Sequence, residues 1–171
     1  MEEKLTVKQV GFKYGIYLAL VSIIYSLILQ IIGQATNRPL GYVAFVFVII
    51  ALWLAHRDFK RDNEYMSYGQ GLGISMIIVS ISSVLSSIFG YIYIKFVDDS
   101  MLDAIREQAT IQMEERGMSD AQIEQAMEMQ SKFTTPEMIL VFGILFGIFF
   151  GFIIALIVTA ITKKTNPELQ T

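Results

Sequence analysis

Cysteine is absent from this 171-residue sequence, and it contains only one histidine and three prolines. Disulfide bonds and thiolate metal sites are therefore excluded, and a single histidine leaves little for zinc binding or acid–base catalysis. Charged residues are also scarce, at 17% of the chain against about 25% in soluble domains. The net charge is −3 and no basic cluster occurs, so we predict no metal site, no cofactor and no nucleic-acid partner.

Long uncharged, apolar runs make up half of the sequence. A helix of about 20 such residues crosses the hydrocarbon layer of a bilayer. The runs predict four transmembrane helices at 14–32, 40–55, 69–94 and 136–161. The second run has only 16 residues, so its helix is expected to thin the bilayer or to borrow residues from its flanks. The sequence thus predicts an all-α membrane protein whose main partner is the lipid bilayer.

Basic residues near the ends of these runs are unevenly divided between the two sides. Eight lie on the side of both termini and three on the other: Lys4, Lys8, Lys13, Arg57, Lys60, Arg61, Lys163 and Lys164 against Arg38, Lys95 and Lys132. Basic residues favour the cytoplasmic side of a membrane. We therefore predict cytoplasmic tails at 1–13 and 162–171, a cytoplasmic loop at 56–68 and a short outer loop at 33–39.

The first run also has features of a cleaved signal peptide, because a basic start precedes it and Gly33-Gln34-Ala35 resembles a signal-peptidase site. Its apolar core is longer than the usual length of about 7 to 15 residues. Cleavage would also leave three spans with termini on opposite sides, so an uncleaved first helix is the simpler interpretation.

The sizeable segment between the third and fourth runs, residues 95–135, carries nine acidic and four basic residues. Its apolar residues recur at spacings of three and four, which predicts two helices, 99–116 and 120–132. Gly117 suits the turn between them, and Ser119 begins a capping box for the second. We predict an acidic periplasmic helical hairpin between helices 3 and 4.

Four carboxylates of this hairpin are the candidate partner-binding residues: Glu114, Glu115, Glu124 and Glu128. A protein partner, a cation or a neighbouring copy of the chain are the alternatives for what they bind. The regular ligand spacing and central glycine of a calcium loop are missing. A hairpin that is merely solvated is the simpler alternative.

Small residues recur every four positions in two of the spans, as in helices that pack closely in membranes. The helix-packing candidates are Gly143, Gly147, Gly151, Ala155 and Thr159 in the fourth span and Gly11, Gly15 and Ala19 in the first. They serve packing within one chain or in a homo-oligomer, and the sequence leaves both open. The third span adds serines that could line a polar path: Ser75, Ser80, Ser82, Ser83, Ser86 and Ser87. Such hydroxyls more often bond to the carbonyl one turn back.

No catalytic residues are predicted. The segment 56–64, with His56, Asp58, Asp62 and Glu64, could supply metal ligands or a base. Its basic residues are better explained by contact with an anionic leaflet. Phosphate-binding, dinucleotide-binding, zinc and serine-nucleophile motifs are missing, so we predict a protein that is not an enzyme.

Three patches carry a family resemblance: residues 65–71 at the entry to the third span, residues 117–124 at the hairpin turn, and the glycine stripe after Pro136. In these and in overall layout the chain resembles the domain of unknown function 4199, small four-span proteins common in Bacteroidetes-type bacteria. The resemblance implies a bacterial inner (cytoplasmic) membrane and a periplasmic hairpin, and it carries over no active residues.

The leading hypothesis is a non-enzymatic, multi-pass inner-membrane protein. Its hairpin would contact a periplasmic or membrane protein or help assembly. The alternative is a small transporter or channel component acting as an oligomer.

Overall fold

The structure is a computed structural model that describes residues 4–166. Its helices are α1 (Val7–Ile31), α2 (Arg38–Asn63), α3 (Tyr68–Phe96), α4 (Ser100–Glu115), α5 (Asp120–Ser131) and α6 (Pro136–Thr162). Four of them, α1, α2, α3 and α6, are long and apolar enough to cross a membrane. The predicted all-α membrane fold, with a helical hairpin between its third and fourth spans, is confirmed. Residues 1–3 and 167–171 of the predicted tails lie outside the described residues.

Short polar motifs fix where the long helices begin. At the start of α1, Thr6 Oγ1 accepts from the Gln9 amide at 3.2 Å, while Gln9 Oε1 accepts from the Thr6 amide at 2.8 Å. Ser67 and Gln70 form the same reciprocal pair at the start of α3, at 3.2 and 2.8 Å. Each pair satisfies two backbone N–H groups that a helix start leaves without partners.

Helix α2 is longer than its apolar run. The run ends at Ala55, but the helix continues to Asn63, so the predicted loop 56–68 is corrected to a short connection before α3. With 26 residues, α2 is about 39 Å long, because it borrows residues from both flanks, as one of the two sequence-based alternatives expects. The polar residues stay helical because the bundle supplies their partners: His56 and Asp58 are both buried and hydrogen-bonded to other helices.

The four long helices pack most tightly at one end. This terminal end contains the first and last described residues and residues 64–67. Its core includes Val10, Leu18, Leu52, Ala55, Phe59, Ile74, Ile78, Ala155 and Val158. The opposite, hairpin end contains residues 32–37 and the hairpin. Among the described residues of the long helices, only Leu29 and Ile94 are buried toward that end. The bundle is therefore closed at the terminal end and looser at the other.

Hydrogen bonds between connecting segments close the terminal end further. Met66 and Lys164 pair as a single antiparallel bridge, with both N–O distances at 2.9 Å. Asn63 Nδ2 donates to the Leu5 carbonyl at 2.9 Å. These bonds join the end of α2 to Leu5, before α1, and the segment after α2 to Lys164, after α6.

The hairpin formed by α4 and α5 follows its predicted boundaries to within one residue at each end. Gly117 has a φ of 74° between the helices, and Gln122 Oε1 accepts from the Ser119 amide at 2.9 Å, so the predicted turn and capping box are confirmed. Before α4, the Ser100 amide donates to Asp98 at 2.9 Å, and this bond holds the pKa of the Asp98 carboxyl below its usual value.

Candidate functional site

The imidazole of His56 is fully buried where α2 meets α3 and α6. Its Nδ1 lies 2.7 Å from Thr162 Oγ1, and its Nε2 lies 3.0 Å from the Gly71 carbonyl oxygen and 2.9 Å from Ser75 Oγ. Ser75 Oγ is in turn 3.5 Å from Thr159 Oγ1. We call these five residues the histidine cluster. Both ring nitrogens have partners, as a polar group inside a membrane protein requires.

The histidine cluster can satisfy the imidazole in both protonation states. The Gly71 carbonyl only accepts, so Nε2 carries a hydrogen, and the Thr162 hydroxyl donates to Nδ1 of the neutral ring. When Nδ1 is protonated, that hydroxyl can accept from it and donate instead to the Val158 carbonyl, 2.7 Å away. No part of the ring is exposed, so a substrate does not reach it. The geometry favours a structural role over that of a catalytic base.

Asp58, two residues after His56 on α2, forms a second polar cluster with Lys13, Tyr14 and Arg61. We call it the Asp58 cluster. Asp58 Oδ2 accepts from Lys13 Nζ at 2.9 Å and from the Tyr14 hydroxyl at 2.7 Å, and Arg61 lies 3.6 Å from Oδ1. The Asp58 side chain is 10% exposed and that of Lys13 is 46% exposed, so water reaches the cation but hardly the carboxylate. The Asp58 cluster fastens the start of α1 to the end of α2.

The predicted helix-packing residues are used within the chain. A methyl group added at Gly11 would lie 2.7 Å from Ile77 Cβ, and Gly15 faces Ile81 in the same way. On the other side of α3, the glycines of α6 face its side chains in order: Gly143 meets Ser87, Gly147 meets Ser83 and Gly151 meets Val79. Ala19, Ala155 and Thr159 are buried. Helix α3 is therefore the central helix, approached closely by α1 and α6.

A cavity of about 330 Å³ lies between the four long helices, on the hairpin side of the core. We call it the serine cavity, because five hydroxyls line it: Ser22, Ser82, Ser83, Ser86 and Ser87. Four of the six serines predicted to line a polar path are thus brought together. The other two are elsewhere: Ser75 belongs to the histidine cluster, and Ser80 does not line the cavity.

The four candidate partner-binding glutamates of the hairpin are exposed: Glu114, Glu115, Glu124 and Glu128. Glu115 borders an open cleft of about 750 Å³ between α4 and the segment that precedes α2, where Arg38 and Arg116 also lie. A hydrogen bond of 3.4 Å from Gln108 Nε2 to the Thr36 carbonyl crosses this cleft. Residues 4–166 contain no group of three or more His, Asp or Glu side chains that could hold a metal ion.

Sequence reasoning missed the histidine and Asp58 clusters, because it assigned residues 56–64 to a loop. A signal was present: Leu52, Ala55 and Phe59 recur at spacings of three and four, and all three are buried. That spacing continues the apolar face of a helix across His56. Following the face beyond the last uncharged residue would have placed His56 inside the bundle.

Comparison with known proteins identifies a family for this chain. A sequence model of the family described as "Protein of unknown function (DUF4199)" matches residues 13–164, nearly the whole chain. No curated protein and no solved structure matches the chain. The match confirms the resemblance carried by residues 65–71, residues 117–124 and the glycine stripe of α6. The chain, a multi-pass membrane protein by its four long apolar helices, therefore belongs to the DUF4199 family.

Proposed function

We propose that this chain is a non-enzymatic protein of the bacterial inner membrane whose hairpin, on the periplasmic side, binds a protein partner. One observation carries the proposal: neither α4 nor α5 has a buried residue. Most of the stability of a helix in a protein comes from packing one of its faces against other elements, so α4 and α5 gain little stability from the rest of the chain. The surfaces of both helices are therefore available to another molecule.

The orientation is supported by charge. The eight basic residues named above belong to the terminal end and three belong to the hairpin end, and lysine and arginine are retained on the cytoplasmic side during insertion. Both termini would then be cytoplasmic, and the acidic hairpin would face the periplasm.

The chemistry of the hairpin indicates the kind of partner. Residues 95–135 have a net charge of −5, from nine acidic and four basic residues. Large apolar side chains are also exposed there, at Ile111, Met129 and Phe133. A partner segment that is basic and carries apolar anchors would match both features, because complementary charge guides association while buried apolar contacts supply affinity.

A role without catalysis is supported by the enclosed histidine. His56 has no exposed surface, and residues 4–166 offer no cluster suited to a metal ion. Ser75 Oγ lies 2.9 Å from the imidazole, as a nucleophile next to a base would, but Ser75 is fully buried as well, so a substrate would not reach this pair.

A photo-cross-linker at the exposed position Ala121 of α5, used in native membranes, tests the proposal. We expect one captured protein with a basic segment on its periplasmic face. Capture should be lost when the four candidate glutamates are changed together to glutamine, and also in about 0.5 M salt, where the Debye length is below about 5 Å. The matched control neutralises two acids at the terminal end, Asp62→Asn and Glu64→Gln, and should capture normally. Capture that survives both the glutamine changes and salt would contradict the proposal.

A small transporter or channel component acting as an oligomer is the second candidate, and the serine cavity favours it. The cavity does not extend through the bundle, because the core residues Leu52, Ile74 and Ile78 are fully buried below it. Transport would therefore need the terminal end to open. In proteoliposomes, Ser82→Leu with Ser86→Leu should abolish flux of uncharged solutes such as glycerol and urea, and a wild-type protein that moves neither would count against transport.

A further inference from the structure

In a bilayer, the serine cavity would lie at the depth of the acyl chains and not in water, because only the four long apolar helices line it. Its lining runs from Ser87 and Gly143 toward the hairpin end to Val79 and Gly151 at the edge of the core. Among the described residues, no Asp, Glu, Lys, Arg or His lines it. Its volume, about 330 Å³, falls at the lower end of the range of about 300–1,000 Å³ that is typical of small-molecule sites.

Most of the hydroxyls that line this cavity have no partner in the described part of the chain. Ser82 donates to the Val79 carbonyl at 3.1 Å. The hydroxyls of Ser22, Ser83, Ser86 and Ser87 form no hydrogen bond within residues 4–166, and the Ser86 oxygen is shielded from solvent as well. A serine in a membrane helix normally bonds to a carbonyl one turn back or to a neighbouring helix. Ser83 and Ser87 lie against Gly147 and Gly143 of α6, but the shielded Ser86 hydroxyl has no partner and needs another explanation.

Three partly exposed phenylalanines, from α2 and α6, also line the cavity. Phe45 and Phe150 meet edge to face, with centroids 6.2 Å apart and planes at 66°, and Phe146 lies 6.3 Å from Phe150. Such rings accommodate a flat apolar body by stacking or edge contact. The cavity thus combines aromatic rings, a row of hydroxyl donors and no charge.

We propose that the serine cavity binds a neutral, planar, carbonyl-bearing molecule that partitions into the bilayer, a compound with the chemistry of a quinone. Its ring would lie against the phenylalanines, and its carbonyl oxygens would accept from the serine hydroxyls. An ionised ligand has no counter-charge in the lining, and a plain hydrocarbon would leave the hydroxyls without partners. The proposal is independent of the hairpin's partner, and it holds whether or not the bound molecule is moved across the membrane.

Menadione is a suitable probe, because it carries two ring carbonyls and the chain has no cysteine with which a quinone could react. Methylnaphthalene has a similar ring without the oxygens. Binding of each is measured by equilibrium dialysis against the protein in lipid nanodiscs, with empty nanodiscs of the same lipid subtracted. We expect saturable binding of one menadione per chain, with methylnaphthalene at least about tenfold weaker.

Two variants and one control localise the binding. Ser86→Ala removes an unpartnered hydroxyl with almost no change in volume and should weaken menadione binding about three- to tenfold, the effect of one hydrogen bond. Ala44→Phe fills the cavity from α2 and should abolish binding. Ser80→Ala, on the same helix but outside the lining, should leave it unchanged.

Three outcomes would overturn the proposal. The first is that neither probe binds saturably, as expected of a cavity filled by water or lipid. The second is that methylnaphthalene binds as tightly as menadione. The third is that Ser86→Ala and Ser80→Ala bind menadione equally well. The comparison of Ser86→Ala with Ser80→Ala does not depend on whether the Ala44→Phe variant folds. None of these results bears on the cross-linking experiment with the hairpin.

Discussion

Replacing His56 with alanine should destabilise the bundle strongly, although this residue follows the last apolar run and has the sequence context of a surface loop. The imidazole is fully buried and connects α2 to α3 and α6 through Gly71, Ser75 and Thr162. His56→Ala leaves these three groups without their partner at the most tightly packed end of the molecule.

Two effects set the magnitude. Interhelical hydrogen bonds in membrane proteins contribute about 0.6 kcal/mol each on average, so the three contacts account for roughly 2 kcal/mol. Removing the ring leaves a void of about 60 Å³, and at about 24 cal/mol per Å³ this adds about 1.5 kcal/mol. We expect the free energy of unfolding to fall by about 3 kcal/mol, a large part of what a bundle of this size has.

Reversible unfolding by SDS in mixed micelles, followed by far-ultraviolet circular dichroism, measures this loss. His56→Gln keeps a donor and an acceptor and should recover part of it. The matched control is Arg57→Ala, at the exposed residue that follows His56. The Arg57 guanidinium lies 5.4 Å from the centre of the Trp53 ring, and such a cation–π contact contributes at most about 1 kcal/mol at an exposed site. A His56→Ala protein that unfolds like the wild type, or like Arg57→Ala, would refute the structural role of the cluster.

Three further predictions use the same assay. Gly151→Ala should lower the free energy of unfolding by about 1–3 kcal/mol, because the new methyl group overlaps a side chain of α3. Gly90→Ala, with open space around the new methyl group, should change it by no more than about 0.5 kcal/mol. Equal effects would argue against close α3–α6 packing. A double-mutant cycle of Lys13→Ala and Asp58→Ala should give a coupling of about 1 kcal/mol or less, since Lys13 is 46% exposed, and a coupling unaffected by salt would contradict the solvent-accessible geometry. Glu64→Gly should raise the free energy of unfolding by up to about 1 kcal/mol by relieving a φ of 65°, and a loss of stability would show that the glutamate side chain matters more than its backbone.

The sequence predicts the parts of this fold that are encoded locally. Apolar runs locate the spans, Gly117 and Ser119 locate the hairpin turn, and the glycine spacing of α6 identifies a face for close packing. Each signal lies within about one or two turns of the feature it specifies, so neighbouring residues suffice to recognise it.

The polar interior was not predictable in this way. His56 is stabilised in a helix by Thr162, 106 positions later, and only the packed bundle reveals that partner. The serines of α3 were recognised as a candidate polar path, but periodicity gives no indication that the bundle closes at one end and leaves a cavity at the other. That asymmetry depends on contacts between residues distant in sequence, such as Val10, Leu52 and Ile74, which share one core at the terminal end.

Thiol labelling of the membrane-embedded chain tests most directly whether four spanning helices hold the hairpin outside the cell's interior. The chain has no cysteine, so Asp120→Cys in α5 and Asp62→Cys in α2 each introduce a single thiol at an exposed position. A maleimide that cannot cross the bilayer should label position 120 in intact spheroplasts and position 62 only after the membrane is permeabilised. Labelling of position 62 in intact spheroplasts, with position 120 protected until permeabilisation, would contradict the account.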